Sequence, residues 1–220
     1  MKPILFNTEM VKAILDGKKT ATRRIVKAPV LYNGTEPPSR IFRDGDLFQF
    51  QWNTGKTIGG FSIKPPYLPG NILYVRETFA CDGFDGEEDV YVYRADVDEC
   101  DRVVWGDIEK KEWAPSSDYH WHPSIHMPKE AARIFLRVTD VRVEQLQKIT
   151  DEGAKAEGAN YGVGIDEKMR RSAIDRFADI WDSTIPRHPN KIKSYPYRWK
   201  DNPWVWVISF ERISREEAGT

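Results

Sequence analysis

Apolar residues along the chain gather in short runs, most of strand length and few with helical spacing. Ile4-Leu5-Phe6 opens as a short strand, after which Asn7 or Thr8 can cap a helix running to about Asp16. Met10, Val11, Ile14 and Leu15 share one face of that helix, and Gly17 stops it. Residues 27–44 carry turn signals, Asn33-Gly34 and Pro37-Pro38, and read as a surface loop. Strands are expected over 46–53, 57–63, 72–79, 89–94 and 102–106, the third entered through the stiff stretch Pro65–Asn71. Residues 107–127 look irregular, and Pro128 can begin a one-turn helix through Ala132. A long strand follows from Ile134 to about Leu146, and Thr150-Asp151-Glu152 opens a short helix to Glu157, ended by Gly158. Met169, Ala173, Phe177, Ile180 and Trp181 repeat at helical spacing, so 166–183 reads as the clearest helix, ended by Pro186 and Pro189. In the last strand, Trp204–Ile213, the residues Trp204, Trp206, Ile208 and Phe210 alternate on one face, the period of a half-buried strand.

Many short strands, few helices and no alternation of strand with helix predict a mainly β protein with peripheral helices, arranged as a small β-barrel. No internal repeat and no convincing linker divides it, so residues 1–220 are expected to form a single domain. Composition narrows the function. With 33 Lys+Arg against 34 Asp+Glu, the net charge of -1 excludes a protein that coats nucleic acid by bulk charge, though not a local basic patch. Hydrophobic residues at 40% and charged residues at 30% fit a soluble globular chain. Eight Trp are many for this length, and flat side chains both fill cores and stack on bases. Cys81 and Cys100 match no zinc spacing and are expected as reduced thiols. The first apolar stretch is too short for a signal sequence and no window is long enough to span a membrane, so a cytoplasmic location is expected.

The segment Lys18-Lys19-Thr20-Ala21-Thr22-Arg23-Arg24 places four cations and two hydroxyls at a helix-to-strand junction. Amide hydrolysis needs a nucleophile, a proton acceptor and a donor for the oxyanion. Thr22 can serve as the first if a desolvated Lys19 takes its proton, with Arg24 as the third. A solvated basic turn after a helix is the alternative. Glu157, beside Gly158, is either a carboxylate able to approach a ligand or a surface residue of an amphipathic helix. Arg76-Glu77 lies inside an apolar strand, which sends one charge to each face; an ion pair with Arg23 or Arg24 and a ligand contact are equal readings. His122 precedes a proline, no acidic residue follows close by and the segment is irregular, so His120, His122 and His126 are not expected to hold a metal. No nucleophile elbow, phosphate-binding loop, dinucleotide fingerprint or His-Glu-x-x-His occurs.

Gly17 followed by Lys18-Lys19-Thr20-Ala21-Thr22-Arg23-Arg24 resembles the G-[RK]-K-T-x-T-x-R signature of ASCH domains, whose fold is a PUA-like barrel. Pro69-Gly70-Asn71-Ile72-Leu73-Tyr74-Val75-Arg76-Glu77-Thr78-Phe79 resembles a segment of the longer, phage-like ASCH proteins, as do Pro123–Pro128, Ile149–Gly158 and Asn202–Val207. The resemblance runs over most of 4–212 and implies a pocket for nucleic acid or nucleosides. Small bacterial members hydrolyse N4-acetylcytidine with a Lys, a Thr and a Glu, which fall on Lys19, Thr22 and Glu157 here. Lys19 and Thr22 align without a gap, whereas Glu157 rests on the pattern Ala154 to Glu157. Insertions at about 27–44 and 80–127 distinguish this chain from the small members.

The expected activity is therefore removal of the acyl group from N4-acylated cytosine nucleosides, with no cofactor and no metal. Thr22 would attack the amide carbonyl, Lys19 would relay the proton, and Glu157 would orient Lys19 or bind the cytosine edge. In a variant of equal economy Glu157 activates a water and Thr22 only positions the substrate. Arg23, Arg24 and Glu77 are expected to line the substrate, with the aromatic floor supplied by Phe6, Trp52, Phe79 or Tyr161. The alternatives are an RNA-binding module and a ribonuclease, with RNA in place of the nucleoside as partner; a membrane is not expected as one, and the oligomeric state is left open.

Overall fold

The computed structural model describes residues 1–27, 38–53, 58–82, 90–98, 100–105, 112–159, 172–185 and 197–219. In chain order the elements are β1 (Lys2–Leu5), α1 (Thr8–Leu15), β2 (Ala21–Ile25), β3 (Arg40–Asp44), β4 (Leu47–Asn53), β5 (Ile58–Ile63), β6 (Ile72–Arg76), β7 (Phe79–Asp82), β8 (Val90–Tyr93), β9 (Arg102–Trp105), β10 (Glu112–Pro115), β11 (Phe135–Gln145), α2 (Asp151–Ala156), α3 (Ala173–Thr184) and β12 (Trp204–Ile213). The protein is mainly β, with mixed sheets and few helices. Among the described residues no sheet closes on itself, and no helix is long and apolar enough to cross a membrane. The residues group into two compact units. Unit 1 comprises Met1–Gly17, Asn71–Arg137 and Arg212–Thr220; unit 2 comprises Lys18–Gly70 and Val138–Glu211.

In unit 1, β1 runs parallel to β6 with Ile4 opposite Val75, and β6 is antiparallel to the first residues of β11, with Tyr74 opposite Phe135. The pairs β7–β8 and β9–β10 are antiparallel ladders. Helix α1 starts where Asn7 accepts a hydrogen bond from the Met10 amide at 2.9 Å, and it buries Val11 and Ile14. The strand expected over 72–79 breaks after Arg76. There the Arg76 guanidinium turns to the carbonyls of Ile125 and Met127, and the Glu77 amide donates to Met127 Sδ instead of to a neighbouring strand. The one-turn helix expected from Pro128 to Ala132 is only a bend closed by the Ala132 amide on the Lys129 carbonyl at 3.0 Å. The stretch expected to be irregular contributes β10 as well as two short turns.

In unit 2, β12 lies between β11 and β2, and Val207 of β12 is opposite Arg23 of β2. Strands β3, β4 and β5 form an antiparallel sheet. Residues 40–44 are thus a strand and not part of a loop, because Ile41 pairs with Phe50 while its polar neighbours stay outward; the turn signals at 33–37 lie outside the described residues. Strand β12 is buried on both faces and not half-buried. Val205 and Val207 join the core of α2 and α3, while Trp206 packs edge-on against Phe48 at 5.1 Å and Trp204 against Phe50 at 6.4 Å. A strand covered on both sides is apolar at every position, which the even-numbered alternation of Trp204 to Phe210 hides. Helix α3 begins at Ala173 behind a capping box of Ser172 and Asp175, and Ala173, Phe177 and Trp181 are its buried stripe. The expected start at 166, including Met169, lies outside the described residues.

Candidate functional site

The site grows from two chain segments of unit 2. Lys19, just before β2, forms an isolated antiparallel bridge with Glu157, just after α2. Two flanking bonds hold the segments in place, from the Thr20 amide to the Ala156 carbonyl at 2.8 Å and from the Phe210 amide to the Thr20 carbonyl at 2.9 Å. Thr150 caps the start of α2 through the Gly153 amide, and Gly158 ends it with a φ of +88°, a conformation that suits glycine. Glu157 is therefore fixed at the helix end, where the free carbonyls attract a cation.

Lys19 takes that place. It is 2% exposed, and its Nζ donates to Glu157 Oε2 at 2.7 Å, the Glu157 carbonyl at 3.0 Å and the Ala21 carbonyl at 2.9 Å. An ammonium has three protons, so these acceptors match its full donor set. Burial pushes the Lys19 ammonium below its ordinary range; the carboxylate of Glu157 opposes this, and Arg24 and Arg23 add to it.

Strand alternation sends Thr22 and Arg24 to one face of β2 and Ala21 and Arg23 to the other. Thr22 is 3% exposed. Among the described residues its hydroxyl makes no hydrogen bond, while every fully enclosed polar side-chain atom there has a partner. The Thr22 hydroxyl therefore keeps an opening. Arg24 is half-buried, and burial lowers its guanidinium from the usual value against the pull of Glu157 and Tyr67. Tyr67 is pushed up by its own burial, with Arg24 opposing.

Arg23 lies on the face of β2 opposite Thr22 and is held by carboxylates. It is buried, its Nε and Nη2 donate to Glu144 Oε1 at 3.0 and 2.7 Å, and its Nη1 donates to Glu157 Oε1 at 3.2 Å. Its guanidinium lies 5.7 Å from the centre of the Phe177 ring. A cleft of about 440 Å³ opens on this face of β2, with Thr20, Ala21, Arg23, Gly153 and Ser209 among its walls; Thr22 and Arg24 do not line it.

Most of the remaining candidates belong to unit 1. Glu77 is 1% exposed and pairs with neither Arg23 nor Arg24; it meets Arg133 through two parallel bonds, Nε to Oε1 at 3.0 Å and Nη2 to Oε2 at 3.1 Å. Burial raises its carboxyl above the usual range, with Arg133 opposing. Phe79 packs against Tyr91 and His122, and Phe6 is buried. Trp52 stacks on Phe61 in unit 2 at 5.5 Å, and Tyr161 lies outside the described residues. His120 and His122 meet edge-on at 4.9 Å, and among the described residues no group of three metal-ligating side chains converges. Cys81 and Cys100 are exposed and are joined in no disulfide.

Three residues of the site escaped sequence reading. Glu144 sits in a strand of alternating charges, Tyr67 in a proline-rich approach, and Gly153 inside a helix. Only the last carries a signal, since an isolated glycine in a helix costs about 1 kcal/mol relative to alanine and implies a close approach. A Cβ at Gly153 would stand 3.2 Å from Arg23 Nη2.

No protein-family model, curated protein or solved structure matches this chain.

Proposed function

We propose that the protein is an ASCH-type amidohydrolase with a PUA-like barrel, acting in the cytoplasm on N4-acylated cytosine nucleosides. The observation that carries this reading is the enclosed contact of Lys19 with Glu157, on the strand that presents Thr22. A buried lysine pushed down by desolvation is suited to proton transfer near neutral pH. Glu157 Oε2, 2.7 Å away, takes one proton from Nζ and leaves a neutral amine. Lys19 then accepts the Thr22 proton as the Thr22 oxygen bonds to the acyl carbon. Arg24, on the same face of β2 as Thr22, stabilises the oxyanion. Collapse breaks the C–N bond, Lys19 protonates the leaving N4 amine, and cytidine departs. Water hydrolyses the acyl–Thr22 ester, releasing the carboxylic acid and restoring the hydroxyl. Neither metal nor cofactor enters this scheme.

Activation of water by Glu157 is less well supported. Both oxygens of that carboxylate already hold cations, Oε2 on Lys19 and Oε1 on Arg23, so neither is turned toward a water. The enclosure of Lys19 and Arg23 likewise disfavours RNA binding through these cations, since phosphate contacts require exposed donors.

Incubation with N4-acetylcytidine, followed by chromatography for cytidine and acetate, tests the proposal. Thr22→Ser is expected to keep measurable turnover, whereas Thr22→Ala falls by about 10⁴-fold or more with the melting temperature unchanged. No product from the wild type overturns the substrate assignment. Turnover of folded Thr22→Ala within about 100-fold of wild type overturns the nucleophile, because loss of a hydrogen bond alone accounts for roughly 1–3 kcal/mol.

A further inference from the structure

Arg23 is the least expected member of the cluster, because it sits beside the proposed reacting groups yet is turned away from Thr22. A carboxylate joined through a terminal sp³–sp² bond rotates in a broad, roughly two-fold well. Left alone, Glu157 would present either oxygen, at variable angle, to Lys19. Arg23 removes that freedom by holding Oε1 at 3.2 Å while Lys19 holds Oε2 at 2.7 Å. The guanidinium is itself fixed by its two bonds to Glu144 Oε1 and by the Phe177 ring. A Cβ at Gly153 of helix α2 would stand 3.2 Å from Nη2, so the glycine leaves room for the guanidinium.

We propose that Arg23 is a positioning residue: anchored by Glu144, it holds one oxygen of Glu157 so that the other faces Lys19. This rests on the reading of Lys19 and Glu157 as the proton-transfer pair. The charged groups around the pair come from several elements. Lys19 meets Glu157 at the end of α2, and Arg23 and Arg24 of β2. Glu144 of β11 faces Arg23 on one side and touches Arg142 at 3.5 Å on the other. Arg23 opposes the Lys19 ammonium as a cation, while its hold on Oε1 keeps Oε2 against Nζ. The two act on the Lys19 proton in opposite directions, so a variant that keeps the cation isolates the hold.

The test is a titration of Lys19 in the full-length protein carrying ¹³Cε-labelled lysine, with the Lys19 signal assigned by its loss in Lys19→Arg. Arg23→Lys keeps the cation but lacks the fork that spans Glu144 and Glu157, so Glu157 turns from Lys19 and the midpoint is expected to move down. Arg23→Gln also removes the opposing cation, so its midpoint lies above that of Arg23→Lys. A residue that merely braced the fold would lower stability and leave the midpoint in Arg23→Lys unmoved. An unmoved or raised midpoint in folded Arg23→Lys overturns the proposal, as does an Arg23→Gln midpoint below that of Arg23→Lys. The readout needs no turnover. A wild type inactive on N4-acetylcytidine with the midpoint shifted refutes the substrate and leaves the positioning role intact; an active wild type with the midpoint unmoved does the reverse. Where turnover is seen, kcat should fall about 10-fold in Arg23→Lys with KM unchanged, since Arg23 lies on the face of β2 opposite Thr22.

Discussion

Each unit of the molecule buries a glutamate, and the two are handled differently. In unit 1, Glu77 meets the fork of Arg133, which also donates to Asp96 Oδ2 at 2.6 Å and lies 3.8 Å from the centre of the Tyr93 ring. The Tyr93 hydroxyl is in turn committed to the Ala131 carbonyl at 2.6 Å, and burial pushes its ionisation up to about 12. An arginine in a protein does not give up its proton, so this arrangement is a strut. In unit 2, Glu157 shares its oxygens between an arginine and a lysine, and the lysine is pushed down by burial. A carboxylate–lysine pair in a dry site can pass a proton between its members. Both clusters bury a glutamate against an arginine, yet only unit 2 adds a lysine, a partner that can give up a proton. Burial of charge is therefore a poor marker of function until the identity of the partner is known.

The contrast can be broken first at the strut. Glu77→Ala removes the enclosed half of a fork-to-fork pair and is expected to cost about 3 kcal/mol in urea unfolding, the low end for breaking a buried pair because Arg133 keeps Asp96 and is 27% exposed. A change below about 1 kcal/mol would mean that Glu77 is not structural, and the comparison between the units would fail.

At the proton pair the expected change is in rate. Lys19→Arg keeps a cation beside Glu157 but removes a group that can deprotonate near neutral pH. Turnover of N4-acetylcytidine should fall by at least about 100-fold, the scale of general-base catalysis. Near-normal turnover would reduce Lys19 to a fixed charge and make the two clusters alike.

The smallest effect concerns how rigidly the unit 2 cluster is held. Gly153→Ala gains up to about 1 kcal/mol of helix propensity. The new Cβ would stand 3.2 Å from Arg23 Nη2 and 3.2 Å from Ile149 Cγ1, closer than neighbours comfortably allow. Because Arg23 is clamped between Glu144 and Glu157, it cannot give way, and a net loss of about 0.5 kcal/mol is expected by thermal melting. Stabilisation by the full propensity gain would show that the guanidinium is free to move.

Short-range order was readable from the chain. Asn7 caps α1, Thr150 caps α2, and the strand-length runs of β4 and β5 and the alternation in β12 place those strands within a residue or two. Lys19 and Thr22 stood out because their spacing with Arg24 offers a base, a nucleophile and an oxyanion donor on neighbouring positions. Capping, alternation and motif spacing act over a few residues, so they leave a record in the local sequence.

Charge partners leave no such record. Lys19 reaches Glu157 across 138 positions, Arg23 reaches Glu144 across 121, and Glu77 reaches Arg133 across 56. Read locally, Glu77 had Arg23 or Arg24 as one candidate partner and a ligand as the other, and nothing pointed to Arg133. The break after Arg76 and the double burial of β12 were hidden for a related reason, since each depends on what packs against the strand and not on the strand itself. A buried charge must find an opposite one wherever packing brings it. The residue types in each cluster were thus written in the chain, while the choice of arginine or lysine as the partner of each glutamate came from which elements fold against one another.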